Sequence, residues 1–154
     1  MPTERTPRQQ LDFLIGRYTP EIAALARGMV ARLRKRLPHA VEFVYDKSNS
    51  LVIGFGPNER PSDAIISVVV FPRWALLYFL QGASLPDPES RLKGKGRIGR
   101  HLVLHEAATM DEPAVSVLMD EALALAEVPF DSKQPRKILI RTVSVKRPRP
   151  RRPA

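Results

Sequence analysis

The first quarter of the chain carries hydrophobic residues at helical spacing, which predicts two helices before Pro38. The first covers residues 7–17. The second runs from Thr19, which suits the N-cap position and is followed by a proline, to Leu37. Its last turn is basic, and we interpret this charge as compensation of the negative end of the helix dipole. The residues concerned are Arg32, Arg34, Lys35 and Arg36.

The hydrophobic spacing then changes to the pattern of strands. Two short strands are predicted at 41–45 and 50–55, with a polar turn between them. Two nearly continuous apolar runs follow at 64–71 and 74–80. They are separated by too few residues for a crossover helix, so they predict an antiparallel hairpin. Their continuous apolar character indicates burial on both faces of the sheet.

The last third of the chain predicts three more elements. Alternation over 100–105 indicates a strand, and an apolar stripe over 115–126 indicates a helix with Asp111 as its N-cap. Alternation over 137–145 is strand-like and adds an edge strand to the prediction.

Together these elements predict an α+β fold of two layers, with helices packed on a mostly antiparallel sheet of about five strands. We assign the domain to residues 1–132, and a basic strand with a Pro/Arg-rich tail to residues 133–154. One layer of helices covers one face of the sheet, and a bare second face would exceed the apolar patch that monomers usually expose. We therefore expect either a homodimer or a tail folded across the sheet.

The positive charge of the chain is concentrated at its C-terminal end. The sequence has 25 basic and 16 acidic residues, a net charge of +9. Residues 133–154 hold nine basic residues and no acid, so the remaining 16 basic residues balance the 16 acids. Such a segment predicts weak nucleic-acid association, and the alternative is a solvated terminus. The candidate contacts in the tail are Lys146, Arg147, Arg149, Arg151 and Arg152.

Other features of composition exclude several classes of chemistry. The chain has no cysteine, which excludes disulfides, thiol catalysis and thiolate metal sites. No apolar run reaches the ~18 residues of a membrane span, and residues 1–10 lack the apolar segment of a signal peptide. We therefore expect a cytoplasmic, bacterial protein with no membrane partner.

The segment from Gly82 to Glu106 is the one place where glycine, proline and basic residues cluster. Residues 94–99 match the dinucleotide fingerprint G-x-G-x-x-G, but a polar loop precedes them and a strand follows, so no βαβ unit surrounds the match. The backbone amides and cations of this loop are instead a candidate site for an anionic ligand. The alternative is a purely conformational need for glycine at the start of a strand. The candidate ligand-binding residues are Gly94, Lys95, Gly96, Arg97, Arg100 and His101.

Arg100 has a second interpretation, because alternation places it on the same strand face as Leu102 and Leu104. A buried guanidinium must be paired, since isolation would cost several kcal/mol. We predict that Arg100 clasps the loop, through Asp87 or through loop carbonyl groups. The alternative is that Arg100 and Lys95 together face a bound anion.

No catalytic or metal site is predicted. At strand spacing His101 and His105 lie ~13 Å apart, too far to share an ion. The sequence contains no nucleophile elbow and no ordered Ser, His and acid set. Catalytic residues, metal ligands and cofactors are therefore not assigned, and a non-enzymatic role is favoured.

The loop also resembles a known family. Gly82-x-x-Leu85-Pro86-Asp87-Pro88, followed by Leu92-x-Gly94-x-Gly96-x-x-x-Arg100-His101, resembles the signature of the YdhG-like family, domain of unknown function 1801. The resemblance covers residues 8–127 and implies helices packed on an antiparallel sheet.

Some members of that family are described as frataxin-like iron chaperones, which makes iron a cofactor implied by the resemblance alone. Frataxins carry an acidic ridge, whereas the first helices here have Asp12 and Glu21 among arginines. The leading expectation is a non-enzymatic binding or adaptor domain that uses the loop at 82–101 to contact an anionic ligand or a protein. The alternatives are an iron-binding chaperone and a protein that associates weakly with nucleic acid through its tail.

Overall fold

A computed structural model describes residues 5–142 and has an α+β fold, with three α-helices and a six-stranded, mostly antiparallel sheet. The helices are α1 (Pro7–Gly16), α2 (Pro20–Arg36) and α3 (Pro113–Ala124). The strands are β1 (Val41–Asp46), β2 (Leu51–Gly56), β3 (Ile66–Val70), β4 (Ala75–Phe79), β5 (Arg100–Leu104) and β6 (Lys137–Thr142). In the part of the chain described, no helix is both long and apolar enough to span a membrane.

The strand order is β5-β4-β3-β2-β1-β6. Consecutive strands from β1 to β5 pair antiparallel. This confirms the two predicted hairpins, β1 with β2 and β3 with β4, and the mostly antiparallel sheet. β6 is the predicted edge strand, and it pairs in parallel with the whole of β1. β6 therefore belongs to the same sheet as the strands of the predicted domain, which we had ended at residue 132. The strand was predicted to continue to residue 145, and residues 143–145 lie outside the described residues.

The first two helices begin with the side-chain caps that their sequences favour. Thr6 and Gln9 form a reciprocal capping box on α1, and the Thr19 hydroxyl accepts the amide of Ile22 at the start of α2. Helix α2 then buries its apolar stripe against the sheet, with Met29 and Leu33 fully buried. These contacts place α2 at the centre of the helical layer.

Basic residues do lie at the C-terminal end of α2, as predicted, and two of them also have partners outside the helix. Arg32 pairs with Asp111, and Arg36 bonds Ser116 and Asp120 on α3. The hydrogen bond from Arg32 holds the pKa of Asp111 below its usual value. Asp111 was predicted to cap α3, which is wrong, because its carboxylate is turned to Arg32 and α3 starts after Glu112 without a side-chain cap.

Two backbone carbonyl groups at the end of α2 accept hydrogen bonds from a residue that is distant in the sequence. Arg136, just before β6, donates to the carbonyl oxygens of Arg34 and Pro38 at 3.3 Å each. A side chain about 100 residues away therefore satisfies groups that a helix end leaves unpaired. The sequence did not predict this contact, because the capping inferred from it involved only neighbouring residues.

A buried carboxylate lies between α2 and β1. Glu42 is only 1% exposed, and it accepts two hydrogen bonds from Arg34, from Nε at 2.8 Å and from Nη2 at 2.9 Å. This two-point geometry is the strongest that arginine and a carboxylate adopt. The pair ties the C-terminal half of α2 to the first strand.

The two faces of the sheet are covered differently. The main hydrophobic core joins the helices to one face of the sheet, which includes Val44, Ile53 and Leu77. On the opposite face, Val69 and Leu76 are only half-buried, and none of the three described α-helices belongs to that side. The sequence predicted that a homodimer or a covering tail buries this second face. The described residues of one chain test neither arrangement, and the Pro/Arg-rich end of the tail lies outside them.

We expect Arg34→Met to lower the free energy of unfolding by about 3–5 kcal/mol, because it leaves a buried carboxylate without its partner. The double variant Arg34→Met/Glu42→Leu should recover most of that loss, since an apolar pair needs no compensation. Urea denaturation measures both values. Arg27→Met, which breaks the exposed pair with Asp12, serves as the control at about 1 kcal/mol or less. Equal losses for Arg34→Met and the control would contradict the prediction.

Candidate functional site: the open sheet face and its rim

The sheet face without α-helices, here called the back face, contains a depression produced by residue size. One row across the sheet carries small residues on the two central strands and aromatic residues on the strands beside them. In order from β6 to β5, the row reads Leu139, Phe43, Gly54, Ser67, Tyr78 and His101. Alternate residues of a strand share a face, so all six side-chain positions belong to the back face.

This depression, here called the trough, has a volume of about 470 Å³. Its lining is mainly apolar, and Val52, Val69 and Leu76 belong to the next row along the strands. Tyr45, Tyr78, Ser50 and Ser67, which carry hydroxyl groups, also line it. The trough therefore combines a hydrophobic floor with a few polar groups.

One end of the trough is closed by the short 3₁₀ helix Pro61–Asp63 and by Ala64. A Cβ atom at Gly56 would lie 3.0 Å from the Ala64 Cα atom, so the backbone of this segment lies directly on β2. Lys47 and Ser50 line the opposite end, at the turn between β1 and β2.

The loop at 82–101 forms the rim of the back face beside Tyr78. Gly99 packs against the Tyr78 ring so closely that a Cβ atom there would overlap the hydroxyl group. Gly94 has a φ of +119° and lies beside the His101 imidazole. Both glycines therefore have conformational reasons to be present, which is the alternative to ligand binding that the sequence left open.

The same loop doubles back along β5. Lys93 and His101 exchange two backbone hydrogen bonds, of 2.7 Å and 2.9 Å, on the outer edge of that strand. This pairing covers part of a sheet edge that would otherwise expose backbone donors and acceptors.

Arg100 lies on the other side of the sheet from the trough. Its cross-strand neighbour is Phe79, which belongs to the core face. The Nη1 atom of Arg100 donates to the carbonyl oxygens of Gly96 at 2.5 Å and Gly99 at 2.7 Å. These two bonds hold the glycine segment at the start of β5.

Asp87 does not pair with Arg100, so that part of the predicted clasp is wrong. Its carboxylate instead accepts the backbone amides of Arg91 and Leu92, each at 2.8 Å. This local arrangement orders the loop between Pro86 and Leu92. The prediction failed because a loop aspartate bonds the nearby backbone more readily than a distant side chain.

The remaining predicted ligand residues are in solvent. Lys95, Gly96 and Arg97 are exposed, and neither cation takes part in an ion pair with the described residues. The structure therefore brings His101 and Gly94 to the rim and gives Arg100 two backbone partners in the loop. The predicted six-residue set does not converge on one point.

Sequence reasoning missed the trough, although one signal was present. Gly54 and Ser67 interrupt strands that are otherwise rich in large apolar residues. Glycine inside a strand often marks a place where another group approaches the backbone. Only the register of β2 and β3, which pairs Gly54 with Ser67, turns the two interruptions into one depression.

Among residues 5–142, no group of three or more His, Cys, Asp or Glu residues is arranged to hold a metal ion. In comparisons with known proteins, no family model, curated protein or solved structure matches the chain. The resemblance to the YdhG-like family, and the iron-binding role that it implies, therefore stay predictions.

We expect Arg100→Met to destabilise the protein by about 2 kcal/mol, because it removes two charge-assisted hydrogen bonds but keeps the aliphatic packing. For a chain of this size, that loss lowers Tm by about 4–8 °C. Arg97→Met is the matched control and should leave Tm nearly unchanged. Thermal unfolding followed by circular dichroism measures both. An unchanged Tm for Arg100→Met, with loss of phosphate binding, would instead favour a direct role for Arg100 in anion recognition.

Proposed function

We propose that this protein is a non-enzymatic binding domain whose ligand lies in the trough, with the loop at 82–101 forming one rim. The observation that carries the proposal is the 470 Å³ depression on a sheet face without a helical layer. Binding sites for small molecules occupy about 300–1,000 Å³ and have mostly apolar walls with a few polar groups. The size and the lining of the trough both match that description.

The side chains of the trough favour binding over catalysis. Its described lining contains no histidine and no carboxylate, and its ionisable groups are Lys47, Tyr45 and Tyr78. General acid–base chemistry usually requires a group whose pKa lies near the working pH, within hydrogen-bond reach of the substrate. The lining instead supplies apolar surface and hydroxyl groups, which recognise a ligand without reacting with it.

The substitution Val69→Glu tests the trough as the binding surface. Val69 lies on the trough floor, so a carboxylate there should weaken binding of the fluorescent probe 1-anilinonaphthalene-8-sulfonate at least tenfold, about 1.4 kcal/mol. Probe fluorescence measures the affinity, and circular dichroism checks the fold.

Val117→Glu is the matched control, since Val117 is 52% exposed on α3, in the helical layer. It should leave probe binding unchanged. Equal binding by the wild-type protein and Val69→Glu, or no binding by the wild-type protein, would refute the proposed site.

A second candidate function is weak association with nucleic acid through residues 133–154. It is favoured by the nine basic residues of this segment and the absence of any acid. Two of its described cations have structural partners, since Lys137 pairs with Glu59 and Arg136 bonds the end of α2. The cations proposed for the contact, Lys146 to Arg152, lie outside the described residues.

We expect deletion of residues 146–154 to remove most of any binding to duplex DNA of arbitrary sequence. For every phosphate group that the tail no longer neutralises, the slope of log affinity against log salt should become shallower by about 0.9. Fluorescence anisotropy at several salt concentrations measures affinity and slope together. A truncated protein that binds as tightly as the full chain, with the same slope, would exclude the tail as the binding element.

A further inference from the structure

Another pocket lies between the C-terminal end of α3 and the sheet, and we call it the helix-end pocket. It has a volume of about 60 Å³, and its lining shares only Ala64 with that of the trough. The other lining residues come from the 3₁₀ helix Pro61–Asp63, the start of β3, the end of β4, the segment around Leu85 and the end of α3. The pocket is therefore a site separate from the trough.

The lining of the helix-end pocket changes from buried apolar residues to exposed polar ones. Ile65, Phe79 and Leu85 are at most 9% exposed and belong to the main core. Gln81 and Glu127 also line the pocket, and both are exposed, so the pocket reaches the surface. A ligand in this place can bury an apolar part and keep a polar end near solvent.

Both charged residues of the lining are acidic. They are Asp63 and Glu127, and no lysine or arginine belongs to the described lining. Glu127 takes part in no ion pair with the described residues. The Oδ2 atom of Asp63 accepts a hydrogen bond from Asn58 at 3.1 Å and lies 3.8 Å from Nε of Arg60, whose side chain is 77% exposed. Arg60 therefore balances at most one of the two negative charges.

The C-terminal end of α3 adds further negative character to the same place. Ala122, Leu125 and Ala126 line the pocket, and the last turn of α3 contains no basic residue. The end of α2 differs, because its last turn is basic and Arg136 donates to its backbone carbonyl groups. Helix C-termini carry partial negative charge and interact favourably with basic groups. A cation in the pocket would therefore do for α3 what Arg136 does for α2.

We propose that the helix-end pocket binds a small organic cation, an ammonium or guanidinium group on a short aliphatic stem. The stem would lie on Ile65, Phe79 and Leu85, and the cation would lie near the two carboxylates and the end of α3. The inference follows from charge complementarity, because the lining offers a cation only groups of opposite sign. It goes beyond the proposed function and does not depend on it.

The volume of the pocket limits the length of the stem. One water-sized group needs ~10–15 Å³ of such space, so the pocket has room for about five. A butylammonium ion, with four carbon atoms and one nitrogen atom, has that size. The same chemistry is carried by free amines and by the basic side chains of peptides.

The test compares butylamine, which is charged at neutral pH, with 1-butanol, its uncharged counterpart of the same length. Titration of the full chain, followed by NMR through the amide signals of residues 122–128, measures both affinities. We expect the amine to bind about fivefold more tightly at low salt, with the difference shrinking as salt rises. Equal affinities, or shifts confined to residues outside the pocket, would overturn the inference.

The double variant Asp63→Asn/Glu127→Gln tests the two carboxylates. Asparagine can still accept the hydrogen bond from Asn58, so the fold should persist while the affinity for the amine falls about fivefold, to that for the alcohol. Glu21→Gln/Glu106→Gln is the matched control, since it removes two exposed carboxylates that do not line the pocket. An equal fall in this control would indicate general attraction to negative charge and overturn the proposed site.

Ala126→Leu tests the cavity, because a larger side chain there fills the volume. Both probes should lose binding, and circular dichroism checks the fold; unchanged binding would place the probes elsewhere and overturn the inference. Val69→Glu, which disrupts the trough, should leave butylamine binding unchanged. Failure of the trough and failure of this pocket are therefore distinguishable.

A third probe separates the two sources of the cation. Nα-Acetyl-lysine methylamide carries the same ammonium group on a peptide backbone. Affinity equal to or above that of butylamine would identify a basic side chain of a peptide as the ligand, and a clearly lower affinity would identify a free amine. Either result supports the cationic class, whereas absence of binding by all three probes would refute it.

Discussion

Burial of a single face of the sheet is the constraint on which this structure depends. Helix α2 packs its apolar stripe on that face, and the main core of the domain lies between the two. Because apolar burial is the dominant favourable term in folding, the face that receives α2 fixes the orientation of every strand residue. The alternate residues of each strand must then lie on the back face, and their size and polarity determine the shape of the trough.

Arginine fixes the helical layer once burial has brought it together. Arg32 and Arg36 reach the segment before α3 and α3 itself, Arg34 reaches β1, and Arg136 reaches the end of α2. A guanidinium group presents several donors in a rigid plane, so one side chain can join two elements. The high arginine content therefore contributes to geometry within the domain, in addition to its effect on net charge.

The back face and the loop at 82–101 are connected by packing. Gly99 lies against Tyr78, Gly94 lies beside His101, and Arg100 holds the glycine segment from the opposite side of β5. The loop therefore serves as a shaped rim, and the trough beside it supplies the apolar volume. Because the rim and the floor are built from neighbouring strands, the binding surface that we propose would be largely formed before a ligand arrives.

The sequence by itself determined the elements, because hydrophobic periodicity is local and each segment contains its own signal. It predicted the helices, the antiparallel strands, the edge strand and the α+β class, all present in the described residues. Only the tertiary structure decided which partners distant residues meet. Arg34 finds Glu42, Asp87 turns to its own backbone, and Gly54 and Ser67 align into one depression. These contacts depend on strand register and on helix placement. Both are set by packing across the whole domain, so the sequence of any one segment does not reveal them.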